Sequence, residues 1–219
     1  MKVQIGAHKI YFIIYLLFMA VSGFFLVVYN KQEIHLFLND FHQNWADFFF
    51  KYLTDLGDGL AIVVISVLLI FVSKRMTMQV AFSGILAGLI AQFLKKVVFG
   101  PTPRPSAYFK DLDISLYYVN GVELHTAFSF PSGHATTVFS LLTSLVLIQK
   151  TKRWDLLFIA LAMLTAYSRI YLSQHFLEDI FLGSIIGTTV AVLISTWLNS
   201  PKLLAKKNLD KPLIKFNTN

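Results

Sequence analysis

Three short segments of this chain carry the ionisable residues whose types and spacing suit phosphate chemistry. They cover residues 96–105, 129–134 and 168–179. Guanidinium and ammonium groups match the charge and geometry of phosphate oxygens. Ionisable groups at the ends of apolar stretches are costly unless they pair with each other or bind something. We therefore expect a shared anion site, whose cations are Lys96, Arg104 and Arg169.

The middle segment predicts an anion-binding helix N-terminus. Ser132 and Gly133 come directly before an apolar stretch. The free amides and the positive end of the helix dipole suit an anion at such a position. A glycine there lets the backbone approach the ligand closely.

The third segment predicts a nucleophile. His175 and Asp179 are four residues apart, so that on one helical turn the carboxylate can hold the imidazole. An oriented, neutral imidazole beside an anion site is suited to attack phosphorus. His134, in the middle segment, can then protonate the departing oxygen as the general acid.

The composition indicates that these groups belong to a membrane protein. Of the 219 residues, 56% are hydrophobic and 14% are charged, whereas soluble domains carry about 25% charged residues. The chain has no cysteine, which excludes disulfides, thiolate metal sites and thiol catalysis. The net charge of +7 does not indicate nucleic acid as a partner, because the basic residues flank apolar stretches.

Six apolar stretches predict an all-α polytopic protein with six transmembrane helices in one bundle and a single membrane-embedded domain over residues 1–219. Their apolar continuity argues against barrel strands, which alternate. The first stretch is too long for a usual signal-peptide core, and we expect it to be retained as a helix. The stretches are Ile10–Tyr29, Leu60–Ser73, Val80–Phe99, Ala135–Gln149, Leu156–Leu172 and Phe176–Leu198.

The connections between these stretches leave two questions open. Residues 31–59 form either an amphipathic segment in the membrane interface or a loop with its aromatics in the interfacial belt. The aromatics of the 100–131 connection either form a lid and line a path for a lipid chain or rest in the interface. We expect turn and cap roles for Asp55, Gly57, Asp58 and Gly59.

The basic residues predict the orientation in the membrane. If the N-terminus is cytoplasmic, twelve of the nineteen fall on the cytoplasmic side: Lys2, Lys9, Lys74, Arg75, Lys150, Lys152, Arg153, Lys202, Lys206, Lys207, Lys211 and Lys215. This positive-inside bias puts both termini, with the basic tail 201–219, in the cytoplasm. The three chemical segments then face the periplasm or exterior of a bacterial inner membrane.

These segments resemble the three signature motifs of the type-2 phosphatidic acid phosphatase superfamily, which includes lipid phosphate phosphatases and is related to vanadium haloperoxidases. Pro131 to His134 match the second motif, and the Arg169, His175 and Asp179 spacing matches the third. The first differs, because seven residues separate Lys96 from Arg104 where the family commonly has six. The resemblance covers roughly residues 50 to 200.

The resemblance implies a reaction through a phosphohistidine without a metal or a cofactor. His175 would attack, Asp179 would orient it and His134 would protonate the leaving group. Ser168 would support the site from beside Arg169. The remaining groups implied to hold the phosphate are Lys96, Arg104, Ser132, the Gly133 amide and Arg169.

The expected function is therefore a metal-independent lipid phosphatase whose partners are a membrane lipid and the bilayer. Undecaprenyl pyrophosphate, phosphatidylglycerol phosphate, phosphatidic acid and a lipid A phosphate all fit as substrates. A lipid phosphotransferase and a non-catalytic lipid-binding protein are the alternatives, and the oligomeric state is left open. No role follows for Asp111, Asp113, Glu123, His125 and Glu178.

Overall fold

A computed structural model describes residues 4–214, which form ten α-helices joined by loops and short turns. The helices are α1 (Lys9–Val28), α2 (Lys31–Leu38), α3 (Asn44–Leu53), α4 (Gly59–Ile70), α5 (Lys74–Phe93), α6 (Pro105–Asp111), α7 (Gly133–Ile148), α8 (Asp155–Tyr171), α9 (Leu177–Leu198) and α10 (Pro201–Leu204). A 3-10 turn at Thr54–Gly57 joins α3 to α4, and a π-helical turn at Leu94–Val98 extends α5.

The prediction of an all-helical membrane protein is confirmed, and each of the six apolar stretches contains a helix. Three helices are long and apolar enough to cross a membrane: α1, α5 with its π-helical turn, and α9. The α3–α4 pair, bent by 60°, is a fourth candidate. With 16 and 17 residues, α7 and α8 are shorter than the ~20 that a crossing usually needs. Six spanning helices therefore stay a prediction.

Helix α7 lies at the centre of the bundle and packs against α5, α8 and α9. Glycines on α9 permit the close α7–α9 contact. A Cβ atom on Gly183 would lie 2.7 Å from the carbonyl oxygen of Ser132. One turn later, a Cβ atom on Gly187 would meet the backbone of Thr136 and Ser140. Small residues of this kind let membrane helices approach closely, and here they fix the height of the α7 N-terminus against α9.

A buried amide ties the same helices together in the interior. The Gln79 side chain on α5 donates to Ser83 on its own helix (3.2 Å), to Ser144 on α7 (3.2 Å) and to the carbonyl of Ala191 on α9 (3.0 Å). Polar side chains in an apolar interior need such partners. The contact sets the mutual positions of three helices whose ends carry site residues.

The segment between the first two apolar stretches is helical rather than an extended loop. Helix α2 begins with a capping box between Asn30 and Glu33. Helix α3 buries Phe50 and exposes most of its other aromatics, so it is amphipathic, which agrees with one of the two alternatives left open by the sequence. Its position relative to the membrane stays a prediction. The exposed aromatics of α3 are Trp45, Phe48, Phe49 and Tyr52.

Polar contacts also close the end of the bundle that lies away from the three motifs. His8 Nδ1 lies 2.8 Å from Asp155 Oδ1 at the start of α8, and both side chains are buried. Arg75 pairs with Asp210 at 2.7 Å and donates to the carbonyls of Leu198 and Leu203, which holds the C-terminal segment against α5. Only part of the predicted basic tail is covered, since residues 215–219 lie outside the described range.

Candidate active site

The three motifs meet at one end of the bundle because the helices that carry them run in alternating directions. Helices α5 and α8 end there, with Lys95 and Arg169 in their last turns. Helices α7 and α9 begin there, with His134 and Asp179 in their first turns. The loop with Arg104 lies against the same end, hydrogen-bonded to Gln174 before α9.

His175 and Asp179 form a buried hydrogen-bonded pair. The imidazole Nδ1 lies 3.1 Å from Asp179 Oδ2, and each residue is 1% exposed. The same carboxylate oxygen accepts from the amide of Phe176 at 2.9 Å, so Asp179 also caps the helix that carries it. The carboxylate thus holds Nδ1 and leaves Nε2 as the ring nitrogen available for chemistry.

Ser129 contacts both residues of this pair, and the sequence did not reveal this role. Its hydroxyl donates to Asp179 Oδ2 at 2.6 Å and lies 3.4 Å from His175 Nδ1. Ser129 is 1% exposed, and its amide donates to the carbonyl of Thr102. The only sequence signal was its place three residues before Ser132, which carries no predictive weight by itself.

The N-terminus of α7 has a capped start and open space, which the predicted anion site would need. Ser132 is the N-cap: its hydroxyl accepts from the Ala135 amide at 3.3 Å, and its own amide donates to the Asp179 carbonyl at 3.0 Å. A Cβ atom on Gly133 would meet nothing within 4 Å, so there is open space beside that residue. The Ser132 hydroxyl is engaged in capping, whereas the space beside Gly133 is free for a ligand.

Three cations surround this helix end. Electrostatic interactions link Lys95 with Arg104, Arg169 and Asp179, and the same three cations act on His175. His175 lies in the loop between α8 and α9, where burial and these charges hold its pKa well below the usual 6.5. The imidazole is therefore neutral at neutral pH, which is the form that a nucleophile needs.

The lysine that the structure places in this cluster is Lys95, whereas the sequence predicted Lys96. Lys95 is 6% exposed, whereas Lys96 is exposed. The reason is helical phase: the fully buried face of α5 repeats every four residues through Ser83, Ala87 and Ala91, and the next position is 95. The π-helical turn continues this face to the site and turns residue 96 outward.

Three backbone carbonyl groups hold the Arg104 side chain. Its guanidinium donates to the carbonyls of Ala127 (2.9 Å), Gln174 (3.2 Å) and Phe128 (3.5 Å). Burial lowers the pKa of Arg104, and the charge of Asp179 opposes that shift. Gln174 also binds the Glu123 carbonyl at 3.0 Å, so one amide fixes both Arg104 and the loop above it. No pattern in the sequence indicates this role for Gln174.

The guanidinium of Arg169 has a different environment from that of Arg104. Its Nη1 donates to Thr54 Oγ1 at 2.7 Å, whereas its buried Nε has no hydrogen-bond partner within residues 4–214. Its carbonyl oxygen accepts from the amides of Gln174 and His175 at 2.8 and 3.0 Å. The backbone of Arg169 therefore sets the position of His175, while its side chain retains donors for a ligand.

Ser168 does not contribute its hydroxyl to the cluster. The Oγ atom donates to the Thr165 carbonyl at 2.6 Å within α8. The Ser168 proton is thus used within the helix, and the supporting role expected for Ser168 beside Arg169 stays a prediction.

The loop after α6 is anchored to α3 and α8. Tyr117 and Tyr171 both donate to Asp47, at 2.7 and 2.5 Å, and the His42 ring packs against the two tyrosine rings with centroids 4.1 and 4.5 Å away. Lys51 donates to the carbonyl of Asn120 at 2.9 Å. These contacts fix the loop in place beside the site; its role as a lid or as an interfacial segment is still open.

A cavity of about 270 Å³ lies next to Asp179. Its lining includes Ser129 and Asp179 together with Lys31 and Glu178. The Lys31 ammonium lies 4.4 Å from the ring centre of Tyr108 and 5.0 Å from that of Phe176. Within the described part of the chain, no group of three or more histidine and acidic side chains is placed to hold a metal ion.

The sequence profile of the PAP2 superfamily matches residues 76–202. The chain is 29% identical to the lipid A 4'-phosphatase of Bacteroides thetaiotaomicron over 192 residues, which are 83% of this chain and 81% of that protein. It is 28% identical to the lipid A 1-phosphatase of Rhizobium etli over 161 residues, 64% of this chain and 66% of that protein.

Two solved structures share the fold. The crystal structure of Aquifex aeolicus LpxE matches with a TM-score of 0.65 and 24% identity, over 74% of this chain and 93% of that one. The PAP2-type phosphatidylglycerolphosphate phosphatase of Bacillus subtilis matches with a TM-score of 0.63 and 19% identity, over 87% and 95%. At these identities the structures show the common fold alone.

Proposed function

This chain belongs to the PAP2 superfamily, and from that premise we propose that it is a membrane lipid phosphatase that acts on a phosphate group of lipid A through a phosphohistidine. One observation carries the chemistry. The buried His175 has its Nδ1 held by Asp179 and Ser129, while Arg104, Arg169 and Lys95 surround it with positive charge. A neutral imidazole with one free nitrogen, beside an anion site, is a nucleophile poised for phosphorus.

The first half of the reaction transfers the phosphoryl group to the protein. Nε2 of His175 attacks phosphorus as the bond from phosphorus to the lipid oxygen breaks, and His134 gives its proton to that oxygen. The Nδ1 proton stays on the imidazole, hydrogen-bonded to the Asp179 carboxylate, which stabilises the positive imidazole that forms. The cations and the α7 amides hold the equatorial oxygens, where charge is redistributed in the transition state.

The second half regenerates the enzyme. Water attacks the phosphohistidine, the P–N bond breaks, and His134 takes the proton that water loses. Inorganic phosphate leaves, and His175 returns to its neutral form. All the charge that neutralises phosphate in this scheme comes from side chains, so no step requires a metal ion.

The similarity to lipid A phosphatases supports lipid A phosphate as the substrate. The basic residues support a site on the exterior face, with both termini in the cytoplasm and six spanning helices in a bacterial inner membrane. In that orientation the substrate enters from the outer leaflet. The chemistry of the site is shared by other lipid phosphates and pyrophosphates, so the substrate has to be decided by measurement.

Phosphate release by the purified chain in detergent tests this proposal. The panel is lipid A, undecaprenyl pyrophosphate, phosphatidylglycerol phosphate and phosphatidic acid, each without an added acceptor, with His175→Ala as the control. We expect release that is fastest from lipid A and absent in the control. No release from any lipid alone, followed by transfer once an acceptor lipid is added, would identify a phosphotransferase. Inactivity in both assays would favour a non-catalytic protein.

A further inference from the structure

A turn outside the three motifs contacts two of their side chains. The 3-10 turn Thr54–Gly57 lies where α3 and α4 meet at a 60° bend, and it packs against both α7 and α8. Thr54 is 8% exposed, and Gly57 is also buried. The bend directs this turn into the bundle, where it contacts the helices that carry His134 and Arg169.

Thr54 makes the hydrogen bond that fixes the Arg169 side chain. Its Oγ1 accepts a hydrogen bond from Arg169 Nη1 at 2.7 Å. Among the hydrogen bonds within residues 4–214, this one alone joins the guanidinium to the rest of the protein. An arginine guanidinium presents its donors in one rigid plane, so that holding one nitrogen sets the direction of the others. The buried Nε, which has no partner among the described residues, is then kept as a donor for a phosphate oxygen.

Gly57 sets the position of His134 by direct contact. A Cβ atom at residue 57 would lie 2.9 Å from the Cβ of His134 and 3.0 Å from its carbonyl oxygen. Both distances are shorter than the ordinary van der Waals separation of about 3.5–4.0 Å. Only a residue without a side chain lets the turn rest on the first turn of α7 at this height.

We propose that the Thr54–Gly57 turn is a positioning element of the active site: Thr54 orients Arg169 for the phosphate, and Gly57 holds the general acid His134 at the leaving group. This inference rests on the proposed function. Neither residue touches the reacting atoms. A simple structural role, in which Thr54 only satisfies a buried arginine, would change stability without changing how the enzyme binds a phosphate-like ion.

The test for Thr54 compares Thr54→Val, which removes the acceptor, with Thr54→Ser, which keeps it. Vanadate is the probe, because it adopts the five-coordinate geometry of the transferring phosphoryl group. We expect Thr54→Val to weaken vanadate inhibition and to lower kcat/KM by about tenfold, and Thr54→Ser to restore both to within about threefold of the wild type. Thr196→Val is the matched control, because that exposed hydroxyl donates only within its own helix.

The test for Gly57 uses leaving groups. Gly57→Ala displaces His134, so we expect a larger loss on a lipid phosphate than on an aryl phosphate ester, whose departing oxygen needs no proton. Gly59→Ala is the control in the same segment, because a Cβ atom there meets nothing within 4 Å. It should behave as the wild type on both substrates.

Wild-type activity on the lipid establishes the proposed function independently of these variants. If wild-type protein is active while Thr54→Val keeps its vanadate affinity, the positioning role of Thr54 is wrong. Equal losses on both esters for Gly57→Ala would overturn the role of Gly57. If Thr54→Val does not accumulate in membranes, Thr54→Ala provides the same comparison with Thr54→Ser.

Discussion

Asp179 Oδ2 accepts three hydrogen bonds at once, and the contact with Nδ1 of His175, at 3.1 Å, is the one that determines which ring nitrogen is free. The other two donors, the Ser129 hydroxyl at 2.6 Å and the Phe176 amide at 2.9 Å, fix the carboxylate itself. Because the orienting group is held by both a loop and a helix start, the imidazole has one stable orientation.

The first prediction concerns this carboxylate and its hydroxyl partner. Asp179→Asn should lower kcat by roughly 10³–10⁴, as for the orienting carboxylate of a serine protease, because the amide no longer selects the correct tautomer. Ser129→Ala should lower kcat about tenfold, since the carboxylate keeps its other partners. Steady-state phosphate release from lipid A measures both. Near-normal turnover of Asp179→Asn would contradict the assigned orientation.

The second prediction separates two adjacent lysines. Lys95→Met should reduce kcat/KM by roughly ten- to hundredfold, since it removes a charged donor from the phosphate site. Lys96→Met should have little effect, because Lys96 is exposed beyond the buried face of α5. The two variants have the same charge and the same change in volume, so each is the control for the other. The opposite pattern would restore the role of Lys96.

This pair of lysines also marks how far the sequence could be used to predict the site. Spacing within a motif predicted the His175–Asp179 contact and the α7 N-terminus, because each forms within a few residues at the start of one helix. Which of the two lysines faces the site depends on the helical phase of α5 and on a π-helical turn. Motif spacing carries no information on either. The repeat of Ser83, Ala87, Ala91 and Lys95 was the available signal.

Contacts between distant parts of the chain could not be predicted in this way. Thr54 and Arg169 are 115 positions apart, and Arg104 and Gln174 are 70 apart. Neither pair has a periodic pattern, and each exists only because a bend or loop reaches the end of the bundle. The apolar stretches predicted the positions of the helices well, whereas the number that span the membrane depends on helix length in α7 and α8.

The third prediction is that activity does not depend on a metal ion. Positive charge at the phosphate comes from Lys95, Arg104 and Arg169, and these groups remain after chelation. Phosphate release should therefore continue at the wild-type rate after dialysis against EDTA. Loss of activity on dialysis, with recovery on adding Mg²⁺, would show that the scheme lacks an essential component.

The fourth prediction is the orientation in the membrane. Position 115 is exposed in the loop on the site side, and position 205 is exposed at the far end of the bundle. The chain has no cysteine, so Ser115→Cys and Ala205→Cys each provide a single thiol. In intact cells with a permeabilised outer membrane, a membrane-impermeant maleimide should label position 115 and spare position 205. The reverse labelling would place the site in the cytoplasm.

The central claim is that His175 carries the phosphoryl group, and trapping the phosphoenzyme tests it most directly. Wild-type protein mixed with ³²P-labelled lipid phosphate and quenched in alkali should retain label that is stable to base and labile to acid, as a phosphoramidate is. In His134→Ala, hydrolysis of the phosphohistidine should be slowed. This variant should therefore accumulate more label per molecule when it is given a substrate with a good leaving group. His175→Ala should retain none. Label on the protein after His175 has been removed, or label that is stable to acid, would contradict the phosphohistidine mechanism.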